Sequence, residues 1–355
     1  MKTIKDIAKE ANVSTGTVDR VLHDRPGVSP KTKEKIQKLL DKYGFQKNVL
    51  ASALALKKKY TIATLIPKTD KDKEFWKEPD NGIQRASAEM KKYGFEILCF
   101  YFDKFKVDSF SHAFDKILEL NPNGVVMAPI FYNTSIRYTK KLEERNIPFV
   151  LINIEIKPLN NLSFIGQDGI KSGILAGKLL NLILNEEDHI LIIKAIKNVD
   201  NHNAIDMRIN GFMDYFKQKG ITKHIKEIPI EDFNDNVIKK ALTQELIKDN
   251  LIKGIFVPSS MVFTVAKFLD SVGLKRIRLL GFDSHPKSLE FVNKEVIDFL
   301  IDQNPFEQGY LGLKILFEYL FFNKIPNKNF FSSMDIITKE NVEYFRRDDV
   351  SEYVI

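Results

Sequence analysis

The 355-residue chain is poor in the features that mark several protein classes. It has one cysteine, Cys99, so no disulfide can close within it, which fits a reducing compartment. Cys99 lies in the apolar run from Ile97 to Phe102 and reads as a core strand residue. No stretch is apolar for long enough to span a bilayer, and the N-terminal MKTIKDIAKE has no apolar core of a secretory leader. A cytoplasmic protein with no membrane contact is therefore expected. There is no G-x-S-x-G, P-loop or H-E-x-x-H, and the six histidines (positions 23, 112, 189, 202, 224 and 285) are scattered without metal-ligand spacing. Neither an enzyme nor a resident cofactor or metal is expected.

The charge that is present is unevenly placed. Residues 1–59 hold 14 Lys/Arg and 6 Asp/Glu, a net +8, while the remainder carries 40 against 41, a net −1. A basic head on a neutral body is the asymmetry of a chain whose head alone meets a polyanion. The length implies more than one domain. Residues 1–46 read as a small all-α head, 47–59 as a hinge or linker ending in Lys57-Lys58-Lys59, and 60–345 as an α/β body. From Tyr60 onward short apolar runs alternate with amphipathic helical stretches, the pattern of βαβ units and parallel sheet. Two successive doubly wound halves account for it. The first spans about 60–158 and 304–325, the second about 159–303 and 326–345. LSFIG opens the second half, and one late strand falls near Phe331–Thr338. The C-terminal ENVEYFRRDDVSEYVI has no sustained heptad, so no tetramerising coiled coil is expected.

In the head, Lys5 to His23 reads KDIAKEANVSTGTVDRVLH. Ile7, Ala8 and Ala11 give a first helix its apolar face, Asn12 and Val13 turn the chain, and Ser14 is a good N-cap for a second helix. Val18, Val21 and Leu22 then face inward, which leaves Thr15, Gly16, Asp19 and Arg20 outside. Such a helix pair presents the start of its second helix to base edges in the major groove, where the arginine fork matches guanine. A plain helical bundle would share the geometry. Val28-Ser29-Pro30 starts a third helix whose Ile36, Leu39 and Leu40 close the core with Tyr43 and Phe45.

The pieces TIKDIAKEANVS, TVDRVL, VSPKTKEKI and YGF together resemble the head of lactose-repressor-type regulators over about the first 57 residues. The resemblance implies that Thr15, Gly16 and Arg20 read bases, that Ser14 and Thr17 grip the backbone, and that Asn48–Leu56 forms a hinge helix. It also places Leu54 where an apolar side chain wedges into the minor groove, a device known to kink a base step. Asp19, where the family has a small Ser, and Gly16, which takes a side chain from a reading position, leave the operator sequence open.

From Tyr60 the body resembles the periplasmic-type sugar-binding fold those regulators carry. In that fold the ligand lies between two lobes, at the carboxyl ends of the strands. Candidates at such ends are the loop pair Phe75 and Trp76, the latter the only Trp, which resembles a sugar-stacking platform. Asn153 or Glu155 follows another strand. Arg208, in RINGF, matches an R-x-x-G-F, and Asp283, in LLGFDSH, matches well. Gln303, in DQNPFEQG, sits at a crossover between lobes. Asp168, in FIGQDGIKSG, is as well explained as a helix cap. Ser259 and Ser260 replace the family's Asn-Asp. The implied protein is a homodimeric, sequence-specific repressor of palindromic operator DNA, controlled by a sugar or sugar-like effector. The rival is a solute-binding sugar protein with no DNA role.

Overall fold

The computed structural model describes residues 3–22, 26–43, 59–69, 74–196, 203–274 and 276–345. The chain divides into two compact units, Met1–Lys58 and Lys59–Ile355. The expected hinge at 47–59, with Leu54, lies outside the described residues except for Lys59.

Among the described residues the first unit holds three helices. α1 (Ile4–Ala11) starts on a reciprocal cap in which the Thr3 hydroxyl accepts from the Asp6 amide and Asp6 accepts from the Thr3 amide, and it stops at Asn12 in a left-handed conformation. α2 (Thr15–Leu22) is capped by Ser14, whose Oγ accepts from the Thr17 amide at 3.1 Å. α3 (Pro30–Lys42) has Ser29 as cap and proline at its first position. Ile7, Ala8, Ala11, Val18, Val21, Ile36 and Leu40 form the core between them, as their spacing predicts. Leu39 packs at its margin. The Lys35 ammonium donates to the Ala11 carbonyl, joining the end of α1 to α3.

The second unit runs β1 (Tyr60–Pro67), α4 (Lys77–Met90), β2 (Phe95–Phe102), α5 (Val107–Leu120), β3 (Gly124–Met127), α6 (Tyr132–Glu144), β4 (Phe149–Ile152) and β5 (Ser163–Gly166). It continues with α7 (Gly169–Ile183), β6 (His189–Ala195), α8 (Asn203–Lys219), β7 (Ile225–Ile230), α9 (Asp235–Lys248), β8 (Ile252–Phe256), α10 (Val262–Ser271), β9 (Arg278–Phe282) and α11 (Pro286–Asn293). β10 (Phe299–Asp302), α12 (Pro305–Phe322), β11 (Asn329–Phe331) and β12 (Asp335–Ile337) complete it. Two six-stranded sheets result, ordered β11-β5-β4-β3-β1-β2 and β12-β10-β9-β8-β6-β7. The first is parallel throughout; in the second only β12 runs antiparallel. Near-continuous burial of β1, β3, β4 and β5 is what a sheet covered by helices on both faces requires.

Two expectations are corrected. The LSFIG run does not open the second half: β5 pairs with β4, Val150 opposite Ser163, and belongs to the first sheet, between β4 and β11. The expected strand near 331–338 is two three-residue strands in different sheets, β11 beside β5 and β12 beside β10. The lobe boundaries thus shift. The chain leaves the first lobe at 167–168, returns at 303–304 and crosses again at 332–334. A short apolar run declares itself a strand, but which sheet it joins is set by long-range pairing that its own residues do not encode. Among the described residues no helix is long and apolar enough to cross a membrane.

Each lobe has one helix pair at very close approach. A Cβ on Gly82 of α4 would lie 2.1 Å from the Phe306 carbonyl oxygen, and one on Gly309 of α12 would lie 2.0 Å from that of Pro79. In the second lobe, Gly173 of α7 and Gly211 of α8 stand likewise, 2.0 Å from the Arg208 and Ile170 carbonyl oxygens. Because the obstacle is backbone, a methyl group forces the helices apart. Gly173→Ala should therefore destabilise the protein by about 1–3 kcal/mol in chemical denaturation followed by circular dichroism. Unchanged stability would show that the two helices can separate freely.

Candidate functional site

The carboxyl ends of both sheets supply side chains to one cavity of about 500 Å³. Phe75, Trp76, Asn153, Arg208, Asp283 and Gln303, chosen from sequence, all line it. Asn153 follows β4 and Asp283 follows β9, both at φ 68°. Asn and Asp tolerate this left-handed geometry best among residues with a Cβ, and it turns each side chain out of its strand. The turns are pinned, since the Asn153 amide donates to the Ile165 carbonyl and the Asp283 amide to that of Ile301.

Gln303 is 4% exposed and joins the two. Its Nε2 donates to Asp283 Oδ1 at 2.6 Å, and its Oε1 accepts from Asn153 Nδ2 at 3.2 Å. Its backbone carbonyl accepts from Gln308 Nε2 at 2.9 Å. The Gln303 amide is thus used on both sides, and it orients Asp283 and Asn153. Arg208 is 8% exposed; its guanidinium lies 3.9 Å from the centroid of the Phe282 ring and donates to the Pro258 carbonyl at 3.1 Å. Burial pulls its pKa below the ordinary value, and Asp283 acts against that shift. Phe75 and Trp76 meet edge to face, centroids 5.1 Å apart, with Trp76 leading into α4.

Ser259 and Ser260 also line the cavity. Asp168 is placed as a cap, its Oδ1 accepting from the Lys171 amide, and it lines a neighbouring cavity of about 410 Å³ together with Glu155. His285 caps α11 and stacks on Phe263; His202 lies outside the described residues. Sequence reasoning missed Lys104 and Phe105, after β2, and Glu231, Asp232, Phe233 and Asn234, after β7. The same rule of strand ends would have found them; their loops carry no motif to draw attention.

In the first unit Ser14, Thr15, Gly16 and Arg20 are exposed and Thr17 half-buried, all along the start and outer face of α2. Arginine and small polar groups on one open helix face can reach base edges and phosphates. Leu54 lies outside the described residues.

Residues 3–48 match the model of the lacI family of bacterial regulatory proteins, and residues 62–324 match a periplasmic binding protein domain. Catabolite control protein A of Priestia megaterium is 24% identical over 323 residues, 90% of this chain and 92% of that one. The ribose operon repressor of Halalkalibacterium halodurans is 24% identical over 290 residues, 81% of each chain. A solved structure described as a LacI transcriptional regulator from Bacteroides fragilis covers 81% of this chain and 99% of its own, at 26% identity and a TM-score of 0.76. A glucose-galactose binding protein from Geobacillus stearothermophilus shares the fold at 19% identity, with a TM-score of 0.68 over 80% of this chain and 99% of that one.

Asp283 is the titrating centre of the cavity. Burial, opposed by Arg208 and the Gln303 hydrogen bond, raises its pKa from the usual value near 4 to about 6. The folded state therefore holds the proton more tightly than the unfolded chain does. Its contribution to stability is present in full below about pH 4 and is lost as pH rises through about 6, a change of about 3 kcal/mol. Asp283→Asn, which keeps the left-handed turn, should flatten the stability profile between those limits in denaturation curves taken across pH. A profile identical to that of the parent would mean that Asp283 is ionised throughout.

Proposed function

This chain belongs to the periplasmic binding protein domain family, joined to a head of the lacI family of bacterial regulatory proteins, and is a DNA-binding transcription regulator and not an enzyme; from that premise we propose that it is a cytoplasmic, homodimeric repressor released or engaged by a sugar-like effector. The observation that carries the effector reading is the meeting of Trp76, Asn153, Arg208 and Asp283 in one cavity between two lobes. A volume near 500 Å³ suits a small ligand. Aromatic rings offer cover to the apolar face of a pyranose. A carboxylate and a guanidinium accept from and donate to paired hydroxyls. The effector bridges the lobes, and its preference for one lobe arrangement is what couples to the DNA-bound state.

In the head, Thr15, Gly16 and Arg20 read bases while Ser14 and Thr17 hold phosphates. One helix pair reads few base pairs, so two chains on a palindromic operator are needed, with Leu54 wedging the minor groove between the half-sites. The rival reading, a solute-binding sugar protein, leaves the basic head without a purpose.

Two measurements test this. A panel of sugars and sugar phosphates screened by thermal shift should contain a ligand that stabilises the protein by about 2.7 kcal/mol at a hundred times its dissociation constant. Asp283→Asn should lose most of that shift while keeping operator affinity in the absence of ligand. If the variant responds as the parent does, the cavity is not the effector site. On operator DNA, Arg20→Ala should cost about 1–3 kcal/mol and relax base choice. Equal weakening on every sequence would move Arg20 from base reading to phosphate contact.

A further inference from the structure

At the amino ends of the second sheet, the pole opposite the cavity, three neighbouring strands bring together residues that are far apart in sequence. His189 is the first residue of β6, His224 immediately precedes β7, and Asp249 ends α9 just before β8. β6 lies between the other two strands. Ile190 stands opposite Ile225, so His189 and His224 are side by side on one face, their ring centroids 4.3 Å apart. Asp249 reaches them from the other side. Its Oδ2 lies 2.6 Å from His189 Nδ1, and its Oδ1 is held by the Leu251 amide at 3.0 Å. One ligand atom from each of the three lies within 4.8 Å of the others.

We propose that His189, His224 and Asp249 form a binding site for zinc, with two imidazole nitrogens and one carboxylate oxygen as ligands and water in the fourth position. A tetrahedral zinc with bonds of about 2.0–2.1 Å needs donor atoms about 3.3 Å apart. The His189–Asp249 pair must open by less than an ångström, and His224, which is exposed, closes the remaining gap by side-chain rotation. Two imidazoles select a borderline transition ion over calcium or magnesium, which demand oxygen donors. A lone His–Asp ion pair gives no reason for a second imidazole against the first. The Leu251 amide on the far oxygen of Asp249 is the orienting contact that metal-binding carboxylates have. The neighbouring Lys223 turns its ammonium to the carbonyls of Asn185 and Glu186, away from the carboxylate. A bound ion would tie β7, the edge strand, to the two strands inside it.

The full-length, tag-free chain, stripped with EDTA, is titrated with zinc against a chromogenic chelator and followed by thermal shift. One zinc per chain is expected, with a rise in melting temperature that EDTA reverses. His224→Ala, at an exposed position, and Asp249→Asn should each weaken binding at least about tenfold, while His112→Ala, on α5, leaves it unchanged. Cobalt in place of zinc should give the visible absorption of a tetrahedral site, lost in His224→Ala. A stripped parent that takes up no zinc overturns the proposal, and so does undiminished binding by both variants. If Asp249→Asn fails to fold, His224→Ala and the cobalt spectrum decide.

Discussion

The hydrogen-bonded chain from Asn153 through Gln303 to Asp283 is the contact on which the body's two lobes depend. It begins after a strand of the first sheet, passes through a crossover residue and ends after a strand of the second. Gln303 and Asp283 are buried and Asn153 half-buried, and an unpaired amide or carboxylate at the two buried positions would cost more than the hydrogen bond contributes. The three therefore hold one another in place. The positive φ at Asn153 and Asp283 aims them, and the amides donating to Ile165 and Ile301 hold those turns. Arg208, buried against Phe282, supplies the charge that partly offsets the cost of burying Asp283.

That arrangement also fixes the directions of the cavity's polar side chains. Gln303 lines the same cavity, and with one Nε2 proton on Asp283 and its Oε1 accepting from Asn153 it also sets the orientation of both. Asp283 keeps its Oδ2 and Asn153 its side-chain oxygen for other partners. In the head, Val18 and Val21 are spent on the core, while Thr15, Gly16 and Arg20 stay outside.

Much of this was legible in the residues. The helical head followed from caps and i, i+3, i+4 spacing, and the six cavity residues from strand ends read together with the family resemblance. What escaped was pairing. LSFIG announces a strand but not its neighbour, and only the register of Val150 with Ser163 puts it in the first sheet. Lys104 and Glu231 follow strand ends too, but escaped because their loops carry no motif that singles them out. His189 and His224 looked unrelated because nothing in the spacing of two histidines reveals that their strands are adjacent and in step.

The three crossings between lobes are laced together. The Ser332 amide donates to the Gly166 carbonyl, and Gln167 Nε2 donates to the Asp302 carbonyl. Three straps bound edge to edge behave as a ribbon, which folds readily along its width and resists shear and torsion. The glycine-packed helix pairs brace each lobe on its own side of those straps. Under the proposed function, a joint of that kind would turn whatever fills the cavity into an angle between the lobes, the opening of the ribbon.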